Sequence, residues 1–91
     1  MAGNLAVQFA VYGALANGSP DGTGATGVSD ALQRAINESS PYGTVTIDNN
    51  TMRGDPCPGY TKHFGAIVVR DGKPRFFACQ EGQTINFEMG G

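Results

Sequence analysis

Residues 5 to 12 alternate Leu5, Val7, Phe9 and Val11 with Ala6, Gln8, Ala10 and Tyr12. That is the period of a strand with one buried face, and it predicts that Leu5, Val7, Phe9 and Val11 point into the core. The next stretch, Ala16 to Gly27, is almost entirely small or turn-forming residues and reads as a surface loop. Ser29 then stands as an N-cap before Ala31, Leu32, Ala35 and Ile36, whose spacing of three and four predicts one short helix ending near Ser39-Ser40-Pro41.

Val45 and Ile47 alternate within Thr44 to Asp48, a short strand that runs into the irregular segment Asp48 to Lys62, which holds two prolines and two glycines and predicts a long ordered loop. Phe64 to Arg70 and Pro74 to Gln80 flank Asp71-Gly72, a strong short-range hairpin signal. Glu81-Gly82 turns the chain into a last strand over Thr84 to Glu88. The expected fold class is α+β: a single domain over residues 1–91, with about five mainly antiparallel strands and one short helix. Its apolar sheet face is covered by the helix or by a second copy of the chain. A core this small favours a homodimer as the way to hide leftover apolar surface.

Leu, Ile, Val and Phe make up 18 of the 91 residues, near the lower limit for a folded chain. The 14 glycines and only 15% charged residues favour a fold rich in tight turns over a disordered chain. A net charge of -2 gives no electrostatic footprint for nucleic acid or an anionic membrane. The longest apolar stretch, Leu5 to Leu15, is half of what a bilayer span needs, and the N-terminus lacks the basic start of a signal peptide. The expected location is therefore the cytoplasm, or outside the cell by a leaderless route. Cys57 and Cys79 form either one disulfide or two buried thiols.

No enzyme, metal or cofactor is expected from the residues. Cys57 lies between two prolines and Cys79 inside an apolar strand, and neither sits at the helix N-terminus that would lower a thiol pKa. His63 is the only histidine, and with two separated cysteines it matches no metal-ligand spacing. Asp48, Asn50 and Asp55 match no EF-hand register. Arg53-Gly54-Asp55 matches the integrin-binding tripeptide but reads more simply as a turn, and the sequons at Asn17, Asn37 and Asn49 matter only on a secretory route.

What stands out is the density of hydrogen-bonding groups in one loop. Asn49, Asn50, Arg53, Asp55, Tyr60 and His63 fall close together, with Asp48, Thr51 and Lys62 among them. Sugar hydroxyls both donate and accept, so Asp and Asn suit them. Arg donates to hydroxyl and ring oxygens, and an aromatic face packs on the sugar's C–H patch. The simpler alternative is that Asp and Asn satisfy the loop's own backbone.

The run from Asn49 to Val69, followed by Asp71 to Phe87, resembles the C-terminal domain of unknown function found in a DnaJ-like mitochondrial protein and in stand-alone microbial proteins. The resemblance rests on Asn49, Asn50, Gly54, Asp55, Pro56, Pro58, Gly59, Lys62, Glu81 and Gly82. Cys57 and Arg53 depart from the small residues of that pattern. It implies a protein-interaction or structural module. In size and glycine content the chain is also similar to small mushroom lectins of the Lyophyllum decastes type. That likeness implies a homodimer recognising terminal α-linked galactose without catalysis or cofactor, and it carries over no binding residue. The leading expectation is a galactoside-binding lectin whose site is Asn49, Asn50, Arg53, Asp55, Tyr60 and His63. The alternative is the interaction module.

Overall fold

A computed structural model describes residues 4–91; the N-terminal start judged non-basic above includes residues 1–3, which lie outside them. Among these residues six strands and one α-helix follow in the order β1 (Leu5–Leu15), β2 (Thr23–Gly27), α1 (Ser29–Glu38), β3 (Thr44–Thr46), β4 (His63–Arg70), β5 (Lys73–Gln80) and β6 (Thr84–Asn86), with a short 3-10 turn over Ala16–Gly18. Four strands form one sheet in the order β2-β1-β4-β5, and β3 pairs with β6 in a second. Every pairing is antiparallel, giving an α+β fold that is mostly β. The Asp71-Gly72 turn has φ of 55° and 77°, the double positive φ of the tight hairpin turn that Asp-Gly favours, and it joins Arg70 to Lys73 in register.

The first strand departs from its alternation. Leu5, Ala10 and Tyr12 are buried, whereas Phe9 is 52% exposed and Val11 also faces solvent. The cause is a bulge: pairing with β4 runs Val7↔Val68 and then Phe9↔Ile67, so Gln8 is an extra residue and the inside–outside parity reverses after it. The helix holds this irregular edge. Gln33 clamps it like a missing strand, its amide oxygen accepting from the Val7 N–H at 2.7 Å and its amide nitrogen donating to the Leu5 carbonyl at 2.9 Å. Ser29 Oγ accepts from the Ala10 N–H at 3.1 Å.

Two further expectations change. Ser29, used on β1, is not the N-cap; Val28 holds that position and has no side-chain capping bond. The segment Ala16 to Gly27 is only partly loop, because Thr23–Gly27 forms β2 against Val11 to Leu15. Its small residues fit by close approach. A Cβ on Gly24 would lie 2.7 Å from the Pro56 carbonyl oxygen and 3.0 Å from Cys57 Cβ, so β2 and the 48–62 loop pack together only with glycine there.

The core lies between the inner face of the large sheet and α1. Leu32 and Ile36 belong to one buried cluster with Tyr12, Val68 and Ile47, and Phe87 packs against Phe77 and Phe64 with ring centroids 4.6 and 6.4 Å apart. Met52 reaches into the same core from the irregular loop. No helix among the described residues is long and apolar enough to cross a membrane.

Candidate functional site

The 48–62 loop is pinned by its own polar groups. Asp48 Oδ1 accepts from the Thr51 N–H at 2.8 Å, its carbonyl takes the Met52 N–H at 2.9 Å, and the Asn49 carbonyl takes the Gly54 N–H at 2.8 Å. Arg53 closes this turn in the left-handed region at φ 68°, and Gly54 follows. The Arg-Gly-Asp tripeptide is thus part of a turn.

Beneath it sits Lys62, 2% exposed although charged. Its ammonium meets Asp55 Oδ1 at 2.7 Å and Glu81 Oε1 at 3.6 Å, and donates to the Cys57 carbonyl at 3.0 Å. Asp55 also accepts from the Cys57 N–H at 3.2 Å, and Glu81 from the Lys62 N–H at 2.9 Å. A buried ammonium is stable only when so surrounded. The Lys62 hydrogen bond, assisted by the Cys57 amide, holds the Asp55 carboxyl below its ordinary range against the opposing effect of desolvation. The Asp55 partner in turn keeps Lys62 protonated above its usual range. Tyr12, fully buried, donates to Asn49 Oδ1 at 2.7 Å. Burial, followed by the negative field of Glu81, Asp48 and Asp55, pushes its phenol up to about 12.

The six residues singled out in the sequence therefore separate. Asn49 and Asp55 are engaged by Tyr12, Lys62 and Cys57. Tyr60 donates to Asn17 Oδ1 at 2.7 Å, tying the loop to the β1–β2 connection. His63 is exposed at the start of β4, paired with Gly13 and Gln80. Asn50 and Arg53 do come together, at a cleft of about 660 Å³ between α1, β3 and the loop. Arg34, Glu38, Thr44 and Thr51 share its lining. A neighbouring cleft of about 710 Å³ is lined by Arg34, Arg53, Asp30, Met52 and Asp55 together with Thr26 to Ser29. Neither Tyr60 nor His63 lines either one.

Arg34 and Glu38 were missed by sequence reasoning. The available signal was a second helical stripe, Ala31, Arg34, Ala35 and Glu38, at spacings of three, one and three beside the buried Leu32 and Ile36. Two alanines in it leave room beside the helix. Neither Arg34 nor Arg53 is in an ion pair among the described residues, so both guanidinium groups retain donors for an outside molecule.

Cys57 is buried and Cys79 half-buried, and both are free thiols rather than a disulfide. Burial pushes the Cys79 thiol up. No group of three or more His, Cys, Asp or Glu side chains is placed to hold a metal among the described residues. No family model, no curated protein and no solved structure matches the chain.

Proposed function

We propose that the chain is a non-catalytic carbohydrate-binding protein that takes a terminal galactoside in the cleft between α1, β3 and the 48–56 turn. The observation that carries this reading is the character of the cleft wall. Asn50 and Thr51 from the loop and Thr44 from β3 add neutral groups that donate and accept, and Arg34 and Arg53 add donors. Glu38 adds an acceptor. Such a mixture matches a neutral polyol, whose hydroxyls need both kinds of partner, better than it matches an anion or an apolar ligand. The site keeps Asn50 and Arg53 from the sequence reading, drops Asn49, Asp55, Tyr60 and His63, and adds Arg34, Glu38 and Thr44. Galactose with an α linkage is the first sugar to try because of the resemblance to small mushroom lectins.

Four or five hydrogen bonds at a net value of about 1 kcal/mol each put a single site near millimolar affinity. Two sites per particle would raise the apparent affinity by avidity. The test is a glycan array followed by titration with methyl α-galactoside. Arg53→Ala and Asn50→Ala are expected to weaken binding about 5- to 10-fold each, at about 1 kcal/mol per hydrogen bond lost, with melting temperature unchanged. Silence across the array, or binding indifferent to both substitutions, overturns the reading.

A further inference from the structure

Among the described residues, none of the regular elements packs over the outer face of the large sheet. Because antiparallel partners share a face, the register places Phe9, Ile67 and Phe76 side by side across β1, β4 and β5, and Val11, Gly65 and Ala78 side by side in the next outward row. A third row is Ala6, Val69 and Pro74. Phe76 is 67% exposed and Leu15 46%. None of the outward positions on these three strands is Lys, Arg, Asp or Glu, and His63, at one end, is the sole ionisable group.

We infer that this face is the interface of a two-fold homodimer in which the Phe9–Ile67–Phe76 ridge of each protomer seats in the Val11–Gly65–Ala78 trough of the other. Area sets its strength. Because β2 pairs only with Val11–Leu15, on the trough side, the faces that overlap are those of β1, β4 and β5. Three strands about 4.8 Å apart and about eight residues long at about 3.4 Å each make about 400 Å², so a pair covers about 800 Å², the size of a weak, reversible association. Charge supports a second copy over a different protein. An uncharged face gives a foreign partner nothing to select it by, and homodimer interfaces are the more apolar class. A two-fold axis also brings like residues near one another, which an uncharged face tolerates at no electrostatic cost.

Shape supports the register. Ridge and trough lie two residues apart along the strands, and an axis running across the strands midway between them superposes the ridge of one copy on the trough of the other. Gly65 puts no side chain into the trough, and a Cβ built there would meet Val11 Cγ1 only at 3.9 Å, so the space above it is open. The first cleft lies on the far side of the core, beside α1, so dimerisation leaves it open.

Sedimentation equilibrium of the full chain between 1 and 300 µM tests this independently of any sugar. The expected mass is twice 9.5 kDa. Phe76→Asp, at an exposed position, and Gly65→Leu, which fills the trough, are each expected to weaken association at least 100-fold while far-UV circular dichroism stays unchanged. On dilution of the unaltered chain, amide resonances of β1, β4 and β5 are expected to shift while those of α1 do not, a readout that needs no variant. A monomer at 300 µM, a dimer that survives Phe76→Asp, or binding of phosphatidylcholine vesicles without self-association overturns the proposal. A monomeric Phe76→Asp protein that still binds methyl α-galactoside leaves the sugar reading standing, so the two ideas fail separately.

Discussion

Tyr12→Phe removes one oxygen atom from the wall between the core and the irregular loop. In the native protein that oxygen is fully buried and donates to Asn49 Oδ1 at 2.7 Å. Its loss costs the hydrogen bond and leaves the Asn49 amide oxygen without its donor, about 1–2 kcal/mol in all. For a domain of this size that lowers the melting temperature by about 4–16 °C at pH 7. The same phenol supplies a pH signature. Its folded pKa of about 12 lies above the ordinary 10.0, so between those values the native state holds a proton that the unfolded chain releases. Stability from this group is therefore complete below pH 10 and declines as pH rises toward 12. At pH 11 the loss reaches about 1.4 kcal/mol, which cancels much or all of the wild-type advantage over the phenylalanine variant. Thermal melts of both proteins at pH 8, 10 and 11 measure the gap directly. A gap that stays constant across this range, or a variant as stable as wild type at pH 8, refutes the placement of this hydroxyl.

Asp55→Asn tests the Lys62 cluster by acid. The Asp55 carboxyl is held below its usual pKa, so its contribution is present above about pH 4 and vanishes as pH falls through the lower folded value. Urea midpoints between pH 2 and 7 are expected to fall less steeply in the asparagine variant, and parallel curves contradict the pairing. Gly24→Val forces a side chain to within 2.7 Å of the Pro56 carbonyl oxygen and is expected to cost about 1–3 kcal/mol by overpacking. Gly27→Val, where a Cβ meets nothing within 4 Å, serves as the control in the same chemical-denaturation series. Equal losses at both positions sink the close-approach argument.

The elements legible in the chain are those whose signal is local. The Leu32/Ile36 stripe and the Asp71-Gly72 turn each lie within a few neighbouring residues, and both appear where the spacing puts them. Short-range chemistry also marked 48–62 as an ordered loop, because Asp and Asn bond their own backbone. Two of the six expected site residues were instead spent on distant or buried side chains, Asn49 on Tyr12 and Asp55 on Lys62. Arg34 and Glu38 join the cleft from a helix more than ten residues away, and nothing in the polar density of the loop pointed to them.

The alternation of residues 5 to 12 determined that a strand forms there and left open which side of it is buried. That was decided by tertiary structure, through the bulge at Gln8 and the helix side chains of Gln33 and Ser29 that satisfy its irregular edge. A side-chain period of two reverses with any one-residue insertion, and pairing partners decide where the insertion falls. For the same reason β2 was invisible in its own residues. Thr23 to Gly27 has little apolar content, and it is a strand because β1 offers it a free edge and the Pro56–Cys57 backbone needs a neighbour with almost no side chain.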